Sequence, residues 1–208
     1  MLEADKRRLL DALKRQGISN NRVLKALEAV PRELFVPAGQ RQLSYHDHPL
    51  PIGWGQTISQ PFTVAYMAQL LDIQEGDRIL EIGCGSGYNA AVLQEITGET
   101  GQVFSIERIP ELVQLAQEHL KDAGYHQITV TEADGKQGLS DHAPFDRIMV
   151  TAQGAQIPPA FVRDLQAGGV LVMPVSSGNS ARMVRLMKKT GGDHEVTSHG
   201  AFFFVPLV

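Results

Sequence analysis

The stretch Arg78-Ile79-Leu80-Glu81-Ile82-Gly83-Cys84-Gly85-Ser86-Gly87-Tyr88 decides how this chain folds. Arg78–Ile82 is a short apolar strand. A glycine-rich turn follows, then a helical pattern through Val92 to Ile96. Glycines at 83, 85 and 87 let the backbone turn sharply and approach a ligand with no Cβ in the way. In an open parallel sheet, ligands sit beyond the carboxyl ends of the strands, where the strand order reverses. The turn is not a dinucleotide fingerprint. Counted from Gly83, the third glycine of G-x-G-x-x-G falls on Tyr88, and counted from Gly85 no glycine stands at the later position either. A bare tight βα turn is the alternative reading.

Downstream, strand and helix patterns alternate. Val103–Ile106 reads as the second strand. Pro110 opens a helix whose buried face is Leu112, Val113, Leu115, Ala116 and Leu120. Ile128–Val130 and Phe145–Val150 read as the third and fourth strands, Phe161–Leu165 as a short helix and Val170–Val175 as the fifth strand. Met183–Met187 and Phe202–Val205 are the last two, expected as antiparallel neighbours. This alternation predicts an α/β fold, a Rossmann-like, seven-stranded, mostly parallel sheet with helices on both faces.

Upstream lies an arm. Leu9, Leu10 and Leu13 share a helix face, and Gly17 breaks the pattern. Ser19 or Asn20 can cap a second helix carrying Val23, Leu24, Leu27 and Val30, which Pro31 closes. Residues 31–61 are rich in proline and glycine and read as a structured loop with little regular secondary structure. A loop that long in a compact domain is more often functional than idle. After Pro61 a helix over Phe62–Leu71 turns Val64, Met67 and Leu71 inward. One domain is expected over 1–208, with an N-terminal helical and loop arm over 1–61 and a nucleotide-binding core over 76–208.

Composition narrows the function. Of the 208 residues, 43% are hydrophobic and 20% charged, ordinary for a globular protein. A chain this long buries roughly 70% of its unfolded surface without staples. The net charge of −4, and basic clusters no longer than Lys6-Arg7-Arg8 and Lys188-Lys189, argue against a nucleic-acid partner. The single cysteine, Cys84, suits a reducing cytoplasm. The charged N-terminus is not a signal peptide, and no apolar run approaches the ~20 residues of a membrane span. His46-Asp47-His48 invites a metal reading but lacks further ligands at suitable spacing, so no metal is expected.

Three successive strand ends outline a nucleoside pocket. The glycine turn is preceded by Glu81. Glu107 ends the second strand, where a carboxylate can accept two hydrogen bonds from ribose hydroxyls. Nicotinamide sites use the same device, so Glu107 does not discriminate. Asp134-Gly135 follows the third strand, where the Asp can accept from an adenine amino group or merely form an Asp-Gly turn.

The G-x-G-x-G turn with its acid two residues upstream resembles motif I of the class I methyltransferases. The resemblance sharpens elsewhere. Leu50-Pro51-Ile52-Gly53-Trp54-Gly55-Gln56-Thr57-Ile58-Ser59-Gln60-Pro61 looks like the pre-motif segment of the protein-L-isoaspartate O-methyltransferases. Val30–Pro37, Phe145–Ala152, Ala167–Val175 and the terminal Phe204-Val205-Pro206-Leu207 are similar to that family as well, so the likeness spans nearly the whole chain. Ordinary methyltransferases lack the Gln56–Pro61 segment. Three positions depart from the pattern: Trp54 stands for His or Tyr, Ala133 for a Gly, and Phe203 for an Arg common before the terminal motif.

The resemblance implies methyl transfer from S-adenosyl-L-methionine to the α-carboxylate of isoaspartyl residues in peptides and age-damaged proteins, leaving S-adenosyl-L-homocysteine. The ester then closes to a succinimide unaided, and repeated cycles restore aspartate. It implies cofactor contacts at Glu81, Gly83, Cys84, Gly85, Gly87, Glu107, Arg108, Asp134 and Gly135. Thr57, Ile58, Ser59 and Val205 would hold the substrate, with Ser59 as the active-site residue rather than a helix cap. Further expectations are a cytoplasmic monomer and no membrane partner. The rivals are a methyltransferase acting on a small molecule or RNA, a nonenzymatic binder and a nicotinamide oxidoreductase. The arm motif opposes the first, intact Ser59 the second, and Tyr88 the third.

Overall fold

The structure, a computed structural model, describes residues 2–207. In the arm, α1 (Leu2–Arg15) buries Leu9, Leu10 and Leu13, and α2 (Asn21–Ala29) buries Val23, Leu24 and Leu27. Asn20, not Ser19, is the cap. Its side chain accepts from the amides of Arg22 and Val23, satisfying donors that a helix N-terminus leaves free.

Residues 31–61 are more regular than the loop expected of them. After two 3-10 turns, Arg32–Leu34 and Ala38–Leu43, comes a hairpin of β1 (Leu50–Gly53) and β2 (Gln56–Ile58). Its strands are too short, and too rich in proline and glycine, to give a period-2 signal. The reversal needs left-handed backbone at Gly53, Trp54 and Gly55, with φ of 97°, 49° and 70°. Only the middle residue bears a side chain, and Trp54 sits exposed at the tip.

Then follow α3 (Pro61–Leu71), β3 (Arg78–Ile82), α4 (Tyr88–Thr97), β4 (Gln102–Glu107), α5 (Pro110–Asp122), β5 (Thr129–Glu132), β6 (Phe145–Val150), α6 (Pro159–Asp164), β7 (Leu165–Ser177), β8 (Ser180–Lys188) and β9 (His194–Phe202). Gln69 of α3 accepts through Oε1 from the amides of Ser19 and Asn20, at 2.8 and 3.0 Å, and so fastens the arm. The seven-stranded sheet runs β5-β4-β3-β6-β7-β8-β9. β5 to β7 are parallel in that order, and β8 and β9 are antiparallel additions. The fold is the Rossmann-like α/β class expected.

Alternation along the strands divides the core. Ile79, Val103, Met149 and Val172 pack on one face with the arm, α3, α4 and α5. Leu80, Ile82, Ile106, Ile148 and Leu171 pack on the other, against Phe161 of α6. Leu115 is only partly buried.

Two strand positions need correction. The third strand lies at 129–132 rather than 128–130. The last strand ends at Phe202, where it was expected to begin. β9 is the outer edge of the sheet, exposed along nearly its whole length, so it carries no hydrophobic alternation. The apolar run Phe202–Val205 instead leads off that edge toward the cleft described next.

Candidate active site

The chain builds β3, β4 and β5 outward in one direction, then returns to lay β6 on the free side of β3. The crevice of such a sheet opens at that reversal, and the glycine turn leaves β3 there. The amides of Gly83 and Cys84 both donate to the Ile106 carbonyl, at 2.9 and 3.1 Å. Thr151, just past β6, donates its hydroxyl to the Gly83 carbonyl at 2.7 Å. Gly83 has φ 96°, and a Cβ there would stand 2.4 Å from Thr151 Oγ1, so only glycine fits.

Beyond the turn lies a cleft of about 270 Å³. It gathers Gly83, Cys84 and Gly85 from the turn, Glu107 and Arg108 from the end of β4, and Gly135 from beyond β5. Opposite these come Thr57, Ile58 and Ser59 from the arm, and Val205 from the C-terminal segment. Arg108 and Ala133 also line an adjoining recess that contains Asp134. Asp134 caps the short turn Gly135–Gln137 by accepting from the Lys136 amide at 3.0 Å. Gly87 stands behind the turn as the N-cap residue of α4.

Glu81 does not line the cleft; it is fully buried beneath the turn. Asn89 Nδ2 donates to its Oε1 at 2.8 Å, and Ser105 Oγ donates to Oε2. Burial is the main force on this carboxyl and pushes its pKa up to about 7, against the lowering effect of those two bonds.

Glu107 is also mostly buried, but one side reaches the cleft. Oε1 accepts from the amides of Arg108 and Ile109, at 2.8 and 3.1 Å, and Oε2 from the Gly85 amide at 3.0 Å. A carboxylate has roughly four acceptor sites, so one remains open on Oε2. Burial, and next the Glu81 charge, hold the Cys84 thiol well above its ordinary pKa. That makes Cys84 a packed wall residue and not a reactive thiolate.

Ser59 does not cap α3. The N-cap residue is Gln60, without a side-chain bond, and the Phe62 amide donates instead to Asp47 Oδ1 at 2.8 Å. The role of Asp47 in the His46-Asp47-His48 triplet is therefore a helix cap. The Ser59 carbonyl accepts from Arg32 Nη2 at 2.7 Å, and the residue is half-buried at the cleft.

Several wall residues were not named as site residues from the sequence: Asn89 and Tyr88 on α4, Thr151 and Ala152 after β6, and Pro206 and Leu207 near the C-terminus. Thr151 and Ala152 could have been found by the strand-end rule that identified Glu107. Leu207 is brought in by its amide, which donates to the Gln153 carbonyl at 2.7 Å, a pairing with no signature in the sequence.

Residues 4–208 match the protein-L-isoaspartate(D-aspartate) O-methyltransferase (PCMT) family. The protein-L-isoaspartate O-methyltransferase of Methanococcoides burtonii is 47% identical over 200 residues, which are 96% of this chain and 98% of that one. A solved protein-L-isoaspartate O-methyltransferase superposes with a TM-score of 0.84 at 28% identity, over 97% of this chain and 65% of its own. A Plasmodium falciparum structure named for the same activity, in complex with S-adenosyl-L-homocysteine, gives a TM-score of 0.82 at 24% identity over 97% of both chains, a likeness of fold. With the arm motif and the glycine turn facing each other across one cleft, the chain belongs to the protein-L-isoaspartate(D-aspartate) O-methyltransferase family.

Proposed function

We propose that this chain methylates the α-carboxylate of L-isoaspartyl residues in damaged proteins, using S-adenosyl-L-methionine, and so starts their repair through succinimide. The observation that carries this reading is the meeting of Thr57–Ser59 with the glycine turn in one cleft.

The wall suits an adenosyl group. The glycine turn brings backbone close to a ligand, and Glu107 keeps one acceptor site for a ribose hydroxyl. A second ribose bond would require one of its backbone amides to let go. Gly135 packs tightly on Ile82, where a Cβ would come within 2.6 Å of Ile82 Cγ2, so its backbone forms that part of the wall. Arg108, Asp134 and Gly135 would border the base, with Cys84 and Gly85 along the methionine side. Glu81 and Gly87 would act from behind, by fixing α4 against β3. When bound, the cofactor supplies a methyl group already activated on a sulfonium.

Little acid–base work falls to the protein. An α-carboxylate with a pKa of about 3.5 is ionised at neutral pH, so no general base is required. The protein's task is alignment, which can supply up to ~7–11 kcal/mol of a barrier. The Ser59 hydroxyl, free of helix capping, would donate to the acceptor carboxylate and fix the attacking oxygen. Thr57, Ile58 and Val205 would hold the peptide around it.

The arm over 1–61 and the core over 76–208 act as one domain, a reading supported by the packing of Leu13, Val23 and Phe35 into one cluster with Ile79 and Met149. The substrate is protein, not nucleic acid, in keeping with the net charge of −4. No helix among the described residues is long and apolar enough to cross a membrane. A cytoplasmic monomer is the simplest form of the enzyme.

The test is methyl transfer from labelled S-adenosyl-L-methionine to an isoaspartyl peptide and its aspartyl twin. A base-labile ester on the isoaspartyl peptide alone is the expected result. Cofactor binding with transfer to neither peptide would move the acceptor to another class of molecule.

A further inference from the structure

Ser59 belongs to a joint, Ser59-Gln60-Pro61-Phe62, that connects β2 to α3. No side chain of the joint caps α3, and Pro61 has no amide proton, so the joint's own hold on the helix is the single backbone bond from the Val64 amide to the Gln60 carbonyl, at 3.1 Å. Two arm residues hold it from outside. Arg32 is fully buried, donating Nη2 to the Ser59 carbonyl at 2.7 Å and Nε to the Ser44 carbonyl at 2.8 Å. Asp47 accepts the Phe62 amide at 2.8 Å, at the positive end of α3. One end of the joint is thus tied by a cation and the other by an anion.

Arg32 is also the layer behind the cleft wall. Its guanidinium lies 4.6 Å from the ring centre of Tyr88, which lines the cleft. Nη1 has no partner among the described residues. A buried charge is costly to desolvate, and an apolar residue of equal volume is often as stabilising or more so. What a planar guanidinium adds is geometry, because two donors of one rigid fork fix two carbonyls relative to each other.

We propose that Arg32 and Asp47 are positioning residues that clamp the Ser59–Phe62 joint and set where the Ser59 hydroxyl meets the acceptor carboxylate. The proposal rests on the Ser59 reading above. A displacement of about 1 Å at a reacting group can cost on the order of 100-fold in rate, so loosening either end lowers turnover without touching the cofactor.

Since Arg32→Met can simply unfold the protein, the half-buried Asp47 carries the test. Asp47→Ala and Asp47→Asn are made in the wild-type and the Ser59→Ala backgrounds, with kcat, peptide KM and calorimetric S-adenosyl-L-homocysteine affinity measured for each. Asp47→Ala is expected to lower kcat about 10-fold with cofactor affinity unchanged. Asp47→Asn keeps a carbonyl acceptor for the Phe62 amide and is expected to recover most of the loss. In the Ser59→Ala background, Asp47→Ala is expected to have no further effect on kcat. An Asp47→Ala loss of equal factor in both backgrounds, or one that follows cofactor affinity, overturns the clamp. A crippled Ser59→Ala beside an unimpaired Asp47→Ala overturns the clamp alone. Ser59→Ala at wild-type turnover removes the Ser59 reading and the clamp with it.

Discussion

Asn89 Nδ2 donates to Glu81 Oε1 at 2.8 Å, beneath the glycine turn. The bond ties the first turn of α4 to β3 from below, while the cleft lies above. It also uses a carboxyl whose burial raises its pKa to about 7 from an ordinary 4.5. Between those two values the folded chain binds a proton there that the unfolded chain has released. Stability from this group is therefore fully present below about pH 4.5, falls as pH rises to about 7, and is constant above. Glu81→Gln removes the dependence. Its stability relative to wild type is expected to rise across that window by a few kcal/mol, at about 1.4 kcal/mol for each pH unit crossed. Denaturant melts at pH 4.5, 6 and 8 check this, and a pH-independent difference would contradict it.

Glu107 is expected to matter twice over. It accepts from the amides of Gly85, Arg108 and Ile109, so it shapes the turn as well as facing the cleft. Glu107→Gln keeps one acceptor oxygen and loses the charge. Hydrogen bonds to charged groups contribute roughly 1.5–3 kcal/mol, so S-adenosyl-L-homocysteine binding is expected to weaken ~10–100-fold. Calorimetry with the homocysteine product decides the matter, and an unchanged affinity would take Glu107 out of the cofactor site.

The glycine turn makes a sharper demand at Gly83. A Cβ there meets Thr151 Oγ1 in backbone with φ 96°. Gly83→Ala must either displace Thr151, which ties β6 to the turn, or reshape the turn itself. Expected outcomes are a lower melting temperature and loss of cofactor binding by more than about 10-fold. At Gly53 a Cβ has open space, though φ is 97°. Gly53→Ala is therefore expected to cost only backbone strain, about 1–2 kcal/mol, and to leave cofactor affinity alone. Equal effects of the two substitutions on affinity would refute the steric argument.

The strand carrying Glu81 and the helix after the glycine turn were legible because both are continuous apolar runs, buried on nearly every side and bounded by turn residues. Phe145–Val150 falls where its apolar run placed it for the same reason. β9 was misplaced because an exposed edge strand has no face to mark, and the β1–β2 hairpin was missed because three left-handed residues and two short strands leave no pattern. In the site, the strand-end rule reached Glu107 and the family resemblance reached Ser59. Neither gave a role to Arg32 or Asp47. Their partners lie 27 and 15 residues away, joined by backbone atoms that any residue carries.

Phe203 offers a test of peptide specificity. The side chains before and after it turn to one side: the Phe202 ring lies 5.6 Å from Tyr66 and 6.4 Å from Phe204. Phe203 stands two residues before Val205, which lines the cleft. Phe203 is 85% exposed, more than any other large apolar residue described. An exposed ring near the proposed peptide site would gain by covering an apolar neighbour of the reacting residue. Burying one such side chain is worth roughly 1.5 kcal/mol, or about 10-fold in affinity. Phe203→Ala is expected to raise KM several-fold for an isoaspartyl peptide with leucine flanking the damaged residue, and far less for its serine counterpart. KM for S-adenosyl-L-methionine is expected to stay put. A KM that moves equally for both peptides would mean that Phe203 acts on the fold of the C-terminal segment and not on substrate choice.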